Sequence, residues 1–200
     1  MGEMELEQIF ALADGPPKTA ALTAWVQGLF PVGSTPVLVG GAAVELYTGG
    51  AYVTGNLDFV GHIPAAVATK LAAAGFSRTG RHWLHEAGQV FIEFPGETLG
   101  PGEESVRLRI GDVDLVTISP DDAVADRLGA WQHWRSMVDG VNAWLLFRAQ
   151  RRGLDRARLR KRAAALDAED ALRALFARAR RLGTREATEE ELERWAQEGP

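Results

Sequence analysis

The chain has 200 residues, 46% of them hydrophobic, with six Trp, eight Phe and no Cys. That is enough apolar material for one compact core, or a core with a small appendage, and it excludes disulfides and thiolate metal sites. The formal net charge of −5 conceals a segregation: residues 1–147 carry net −9, residues 148–182 net +8 and residues 183–200 net −4.

The opening MGEMELEQIF is acidic and lacks a long apolar run, so no secretory signal is expected there. No stretch approaches ~18 consecutive apolar residues, so no membrane span is expected and a cytoplasmic protein is the default. Residues 3–13 and 17–29 read as helices separated by Gly15-Pro16-Pro17, which breaks any helix. Pro36 to Val39 is a short apolar run that reads as a buried strand, followed by two glycines and a short helix from Ala42 to Tyr47. After Gly49-Gly50, residues 51–60 read as a second strand, and a helix runs from Ile63-Pro64 to a C-cap at Gly75. Three strand-like segments follow, Phe76–Leu84, Gln89–Phe94 and Val106–Ile118. Ser119-Pro120-Asp121-Asp122 then opens a helix, with a capping hydroxyl, a proline at the first helical position and acids at the positive end of the dipole. The remainder reads as helices over 120–135, 137–152, 154–165, 168–182 and 188–197, the last with a capping box at Thr188–Glu191.

Strands in one block and helices at the end predict an α+β fold: a mixed β-sheet core with helices packed on it, and a C-terminal helical region. The charge step places the boundary between a core at 1–147, N-terminal helices included, and a helical region at 148–200.

Two local patterns carry chemistry. Gly40 and Gly41 sit at a strand-to-helix junction, where glycine lets a phosphate approach the backbone and the helix N-terminus attracts the anion. Asn56 follows Gly41 by 15 residues in Thr54-Gly55-Asn56-Leu57-Asp58-Phe59-Val60. On a strand, residues two apart share a face, so Asn56 and Asp58 point one way while Leu57 and Phe59 point into the core.

A glycine pair, a short helix and an acid-x-acid pattern on the next strand resemble the DNA polymerase β-like nucleotidyltransferase superfamily. Here the pattern is carried by LVGGAAVELYTGGAYVTGNLDFV, VFIEFP and TISPDDAVADRLGAWQHW, over roughly residues 36–145. Within it the chain resembles an uncharacterised bacterial branch related to minimal and toxin–antitoxin nucleotidyltransferases. The resemblance implies Mg²⁺-dependent transfer of a nucleoside monophosphate from an NTP to a hydroxyl, with three carboxylates holding metal. Gly40 and Gly41, with Thr54 nearby, match the phosphate-contacting segment, and Asp58 matches the second metal carboxylate. Asn56 stands in the first carboxylate's place, a departure that allows a catalytically impaired protein binding nucleotide, RNA or a partner protein instead. Glu93 and Asp114 are alternatives for the third acid, with Glu93 preferred. Arg127 resembles a position that carries a Lys near the phosphates in related families.

Each of these residues also has a purely structural reading. Glu93 would pair with an arginine, Asp112 and Asp114 would form the wet face of an alternating strand, and Arg127 would pair with Asp122 or Asp126. His82 and His85 are too few for a metal site without further ligands. Arg148 to Arg162 holds eight basic residues against the single acid Asp155. Such a run is usually a solvated helix face, but it is dense enough to expect contact with RNA or a protein acceptor.

Overall fold

The computed structural model describes residues 5–200 and divides into two compact units, residues up to Ser119 and Pro120–Pro200. Residues 3 and 4 of the expected first helix lie outside the described residues. The charge step at residue 148 falls inside a helix of the second unit.

The first unit is α+β. Its seven-stranded mixed sheet has the order β3-β4-β5-β2-β1-β7-β6. The strands are β1 (Val37–Val39), β2 (Asn56–Val60), β3 (Ser77–Thr79), β4 (His82–His85), β5 (Val90–Gly96), β6 (Ser105–Ile110) and β7 (Val113–Ile118). Helices α1 (Leu6–Phe10), α2 (Pro16–Gly28), α3 (Gly40–Thr48) and α4 (Ala65–Ala73) complete the unit. The central pairings β1–β7 and β2–β5 are parallel, β1–β2 is antiparallel, and each edge is an antiparallel hairpin.

One sheet face is the core. Leu38, Leu57, Phe59, Trp83, Ile92 and Leu115 are all buried, and Phe59 stacks on Phe94 at 5.7 Å between centroids. The burial of β2 alternates with period two, Leu57 and Phe59 inward and Asn56, Asp58 and Val60 outward, as the sequence predicts. Two polar side chains tie helices to strands. The Gln27 amide donates to the carbonyls of Pro36 and Val116 at 2.9 and 2.7 Å and accepts from Val116 N at 3.1 Å. The Tyr47 hydroxyl lies 2.7 Å from both Thr117 Oγ1 and the Ile118 carbonyl.

Three expected strands differ in extent. Phe76–Leu84 is interrupted: the chain turns at Gly80, whose φ of +62° is left-handed, and a β3–β4 hairpin results. Val106–Ile118 likewise folds into the β6–β7 hairpin around Gly111, φ +58°. Residues 51–55 form no strand, because the Thr54 amide is bonded to the Glu45 side chain instead of a neighbouring strand.

The second unit consists of α5 (Pro120–Trp134), α6 (Met137–Gln150), α7 (Arg156–Ala165), α8 (Glu169–Leu182) and α9 (Glu189–Glu198). No helix among the described residues is long and apolar enough to cross a membrane. Asp155 caps α7 by accepting from the amides of Ala157 and Arg158, and Thr188 with Glu191 forms the expected capping box on α9. Burial pushes the carboxyl of Asp121, in the first turn of α5, above the usual carboxylate range.

The core gathers Val124, Leu128, Trp131, Leu146, Leu159, Leu175 and Trp195. At its centre the Asp122 side chain, 0% exposed, meets Arg158 Nη2 at 2.6 Å and Arg162 Nε at 2.7 Å. Removing one partner of a buried ionic cluster strands the other charges. Asp122→Ala is therefore expected to lower unfolding free energy by about 3–5 kcal/mol in urea titration. A loss under 1 kcal/mol would mean that the two guanidinium groups find water or other acceptors at no cost.

Candidate functional site

The antiparallel pairing of β1 with β2 sets Val39 opposite Asp58. Immediately after Val39 the chain leaves the sheet and begins α3 at Gly40, so the helix start arises directly beside the Asp58 side chain. Gly40 has φ +65°, and a Cβ placed on it would lie 3.0 Å from Asp58 Cγ, with Oδ2 closer still. The backbone at Gly40 thus fits against a carboxylate, and only glycine satisfies both the dihedral and the space. A Cβ on Gly41 would meet Thr54 Oγ1 at 3.1 Å and Tyr52 Cε1 at 3.4 Å.

The loop before β2 is held from below by Glu45. This side chain is completely buried and accepts from Thr19 Oγ1 at 2.8 Å through Oε1 and from the Thr54 amide at 2.9 Å through Oε2. Thr54 Oγ1 in turn accepts from the Asn56 amide at 3.3 Å. One chain of bonds therefore runs from α2 through α3 to the start of β2. Sequence reasoning did not single out Glu45, although it is the one charged residue within the apolar α3 segment Ala42–Tyr47.

On the other side of β2, the parallel pairing with β5 sets Asp58 level with Glu93 and Asn56 level with Phe91. Laterally paired residues project from the same face, so Asp58 and Glu93 are neighbours across strands about 4.8 Å apart. Asp58 is half-buried and Asn56 exposed. The Glu93 carboxylate, 18% exposed, is already engaged: Arg81 Nε lies 2.6 Å from Oε1, and His82 Nδ1 lies 3.6 Å from Oε2. Arg81 comes from the tip of the β3–β4 hairpin, and His82 is Glu93's register partner on β4.

Asp114 is not brought to this cluster. Val39 is level with Asp58, and the Leu38–Thr117 pair puts Ile118 level with Val39. Asp114 lies four positions earlier on β7, about 13 Å along the strand at ~3.3 Å per residue, and it pairs with Arg109 at 3.5 Å in an exposed setting. Of the two alternatives for a third acid, Glu93 is the one beside Asp58. Among the described residues, no three His, Cys, Asp or Glu side chains converge on a point that could hold a metal ion. Arg127 belongs to the helical unit, where its Nη1 pairs with Asp139 Oδ1 at 2.7 Å, a partner other than the Asp122 or Asp126 of the structural reading.

Gly40→Ala forces a left-handed residue to carry a Cβ and pushes it into the Asp58 carboxylate. The expected loss of stability is about 1–3 kcal/mol, measured by chemical denaturation. Gly41→Ala, with contacts no closer than 3.1 Å, should lose less. The reverse order would show that the Gly40–Asp58 approach is slack.

No family model matches the chain, and no curated protein matches it. Among solved structures it is similar to an antigenic nucleotidyltransferase-like protein from Paracoccidioides brasiliensis, with a TM-score of 0.51 and 16% sequence identity, over 80% of this chain and 95% of that one. That likeness, together with the seven-stranded mixed sheet, gives the chain a nucleotidyltransferase-like fold.

Proposed function

We propose that the sheet unit binds a nucleoside triphosphate at Gly40–Gly41, with one Mg²⁺ beside it, and acts as a nucleotidyltransferase that passes a nucleoside monophosphate to a hydroxyl acceptor. The observation that carries this reading is the approach of the Gly40 backbone to Asp58 at the start of α3, with Glu93 in lateral register. Glycine backbone at a helix start suits a phosphate, and a carboxylate beside it suits the cation that accompanies one.

The donor set fits a single ion. Mg²⁺ is commonly held by one or two carboxylates with the rest of its octahedron supplied by water and phosphate oxygens. Asp58 and the Asn56 amide oxygen would hold it, with Glu93 as a second carboxylate once Arg81 gives way. When bound, the ion would supply charge neutralisation on the phosphoryl oxygens and orientation of the leaving group. The chain's own part is positional: Gly40 and Gly41 admit the phosphates, and Glu45 fixes the loop that delivers Asn56 and Asp58. A symmetric two-ion clamp would call for more carboxylates than this face gathers.

A second reading is a nucleotide-binding protein that transfers nothing. The neutral Asn56 and the 2.6 Å Arg81–Glu93 pair favour it, since both reduce negative charge where metal would sit. Calorimetry with Mg²⁺–ATP tests what the two readings share. Binding should require Mg²⁺ and vanish in Asp58→Asn, and its absence in the wild type would remove both. Release of pyrophosphate in the presence of candidate hydroxyl acceptors separates transfer from binding alone.

Position 56 gives an independent check. Positions 56 and 58 lie on one face of β2 about 6.6 Å apart, at ~3.3 Å per residue, where two carboxylates repel, so Asn56→Asp should lower the melting temperature without metal. Mg²⁺ should then raise the melting temperature more in Asn56→Asp than in the wild type, through preferential binding to the folded state. Equal Mg²⁺ responses in the two proteins would place position 56 outside any metal site.

A further inference from the structure

The arginines of the 148–162 segment are sorted by the helical unit into two groups. Arg158 and Arg162 turn inward to Asp122. Arg148, Arg151, Arg152, Arg156 and Arg160, joined by Arg180 from the last turn of α8, line one cavity of about 340 Å³. No carboxylate lines it, and none of the six forms an ion pair with any of the described residues. Arg156 and Arg160 lie four apart on one face of α7, a spacing at which like charges repel. Six cations around one concavity is an arrangement that an anion relieves.

The guanidinium groups are also pre-positioned. Arg156 and Arg160 lie over the ring of Phe176, at 5.9 and 5.7 Å from its centroid. Arg148 lies 5.6 Å from the Trp144 ring and donates from Nη1 to the Gly183 carbonyl at 2.7 Å. A ring neighbour at that distance occupies no N–H group, so the Arg156 and Arg160 guanidiniums keep theirs for oxygen acceptors, and such forks match phosphate bidentately. Single-stranded nucleic acid is bound differently, along extended grooves with open aromatic faces for the bases. Here Phe147 is only 4% exposed, Phe176 is covered by two guanidiniums, and the cavity has the size of a small-ligand pocket.

We propose that this cavity is a binding site for a compact oligophosphate, a chain of consecutive phosphates either inorganic or carried by a nucleotide. It is separate from the metal-dependent nucleotide site proposed on the sheet. The geometry recognises phosphate through arginine edges and needs no divalent cation.

The test is calorimetric titration of the full chain with inorganic tripolyphosphate at low salt in EDTA, which silences the metal-dependent site. Binding is expected, and Arg152→Glu/Arg160→Glu should weaken it about a hundredfold through loss of two charge-assisted contacts. Both side chains are exposed, so the unfolding midpoint should change little; Arg151→Gln/Arg152→Gln serves as the milder variant, with a smaller loss. Asp58→Asn should leave the affinity unchanged. ATP in EDTA distinguishes the sources: affinity equal to tripolyphosphate assigns recognition to phosphates alone, and tighter binding adds the nucleoside, either outcome supporting the site. No binding of tripolyphosphate, binding by both arginine variants as tight as in the wild type, or loss of binding in Asp58→Asn would each overturn the proposal. A short single-stranded RNA that binds more tightly than tripolyphosphate and displaces it would overturn it in favour of a nucleic-acid surface.

Discussion

A backbone without a side chain at position 40 and a carboxylate at position 58 occupy adjoining space, and the arrangement of the sheet unit depends on that fit. It requires β1 and β2 to be antiparallel with Val39 opposite Asp58, and it requires the chain to leave the sheet at the very next residue. Shifting the register by one residue would turn Asp58 into the core and Phe59 out of it. The core packing of Phe59 against Phe94 therefore also fixes the direction of the carboxylate. Stability and site geometry are here two results of one register.

Buried polar groups perform the same kind of specification at longer range. Glu45 joins three segments: α2 at Thr19, α3 itself, and the loop at Thr54. Gln27 repeats the device by satisfying backbone groups on two sides, at Pro36 and at Val116. Such groups add little net free energy when satisfied, but any alternative packing leaves them unbonded at a cost of about 1–3 kcal/mol each. They discriminate against near-native arrangements more than they stabilise the native one. In the helical unit Asp122 has this role, and it decides which arginines of α7 face inward.

The parts of this architecture that were legible in the sequence are those with a local signal. The period of two across Asn56–Val60 declared which side of β2 is wet, and the glycine pair after an apolar run marked the strand-to-helix junction. The α+β class followed from the order of elements. Hairpins were harder, because the turns at Gly80 and Gly111 interrupt runs that are apolar and polar on both sides alike. What the sequence could not carry is lateral position. That Asp58 neighbours Glu93 while Asp114 stands two strands away is a fact of strand order, and β2 pairs with β5 across more than 30 residues of chain. The partner of Glu93 was hidden for the same reason: Arg81 sits on a hairpin tip, where only the register of β4 on β5 brings it within reach. Arg127 is the mirror case, since a cation that follows Asp121, Asp122 and Asp126 on its own helix finds Asp139 on the next one. Glu45 was readable in principle as a lone charge in an apolar helix, a signal that identifies a buried anion but not what it holds.

The Arg81–Glu93 pair has a consequence for any positive species that approaches the carboxylates. Arg81 is 61% exposed and reaches Glu93 from the hairpin beside it, so the pair is an intramolecular competitor. Its effective concentration is set by the hairpin, on the order of millimolar or above for a short tether, and dilution of the protein does not reduce it. A cation binding at Glu93 has its apparent affinity lowered by the fraction of molecules in which the guanidinium is in place. The tether also selects by charge: a monovalent ion exchanges one unit of attraction for another, whereas a divalent ion gains more than it displaces. For any cation that competes for Glu93, a single exposed arginine on a hairpin tip would thus favour the higher valence, with no rigid cage required.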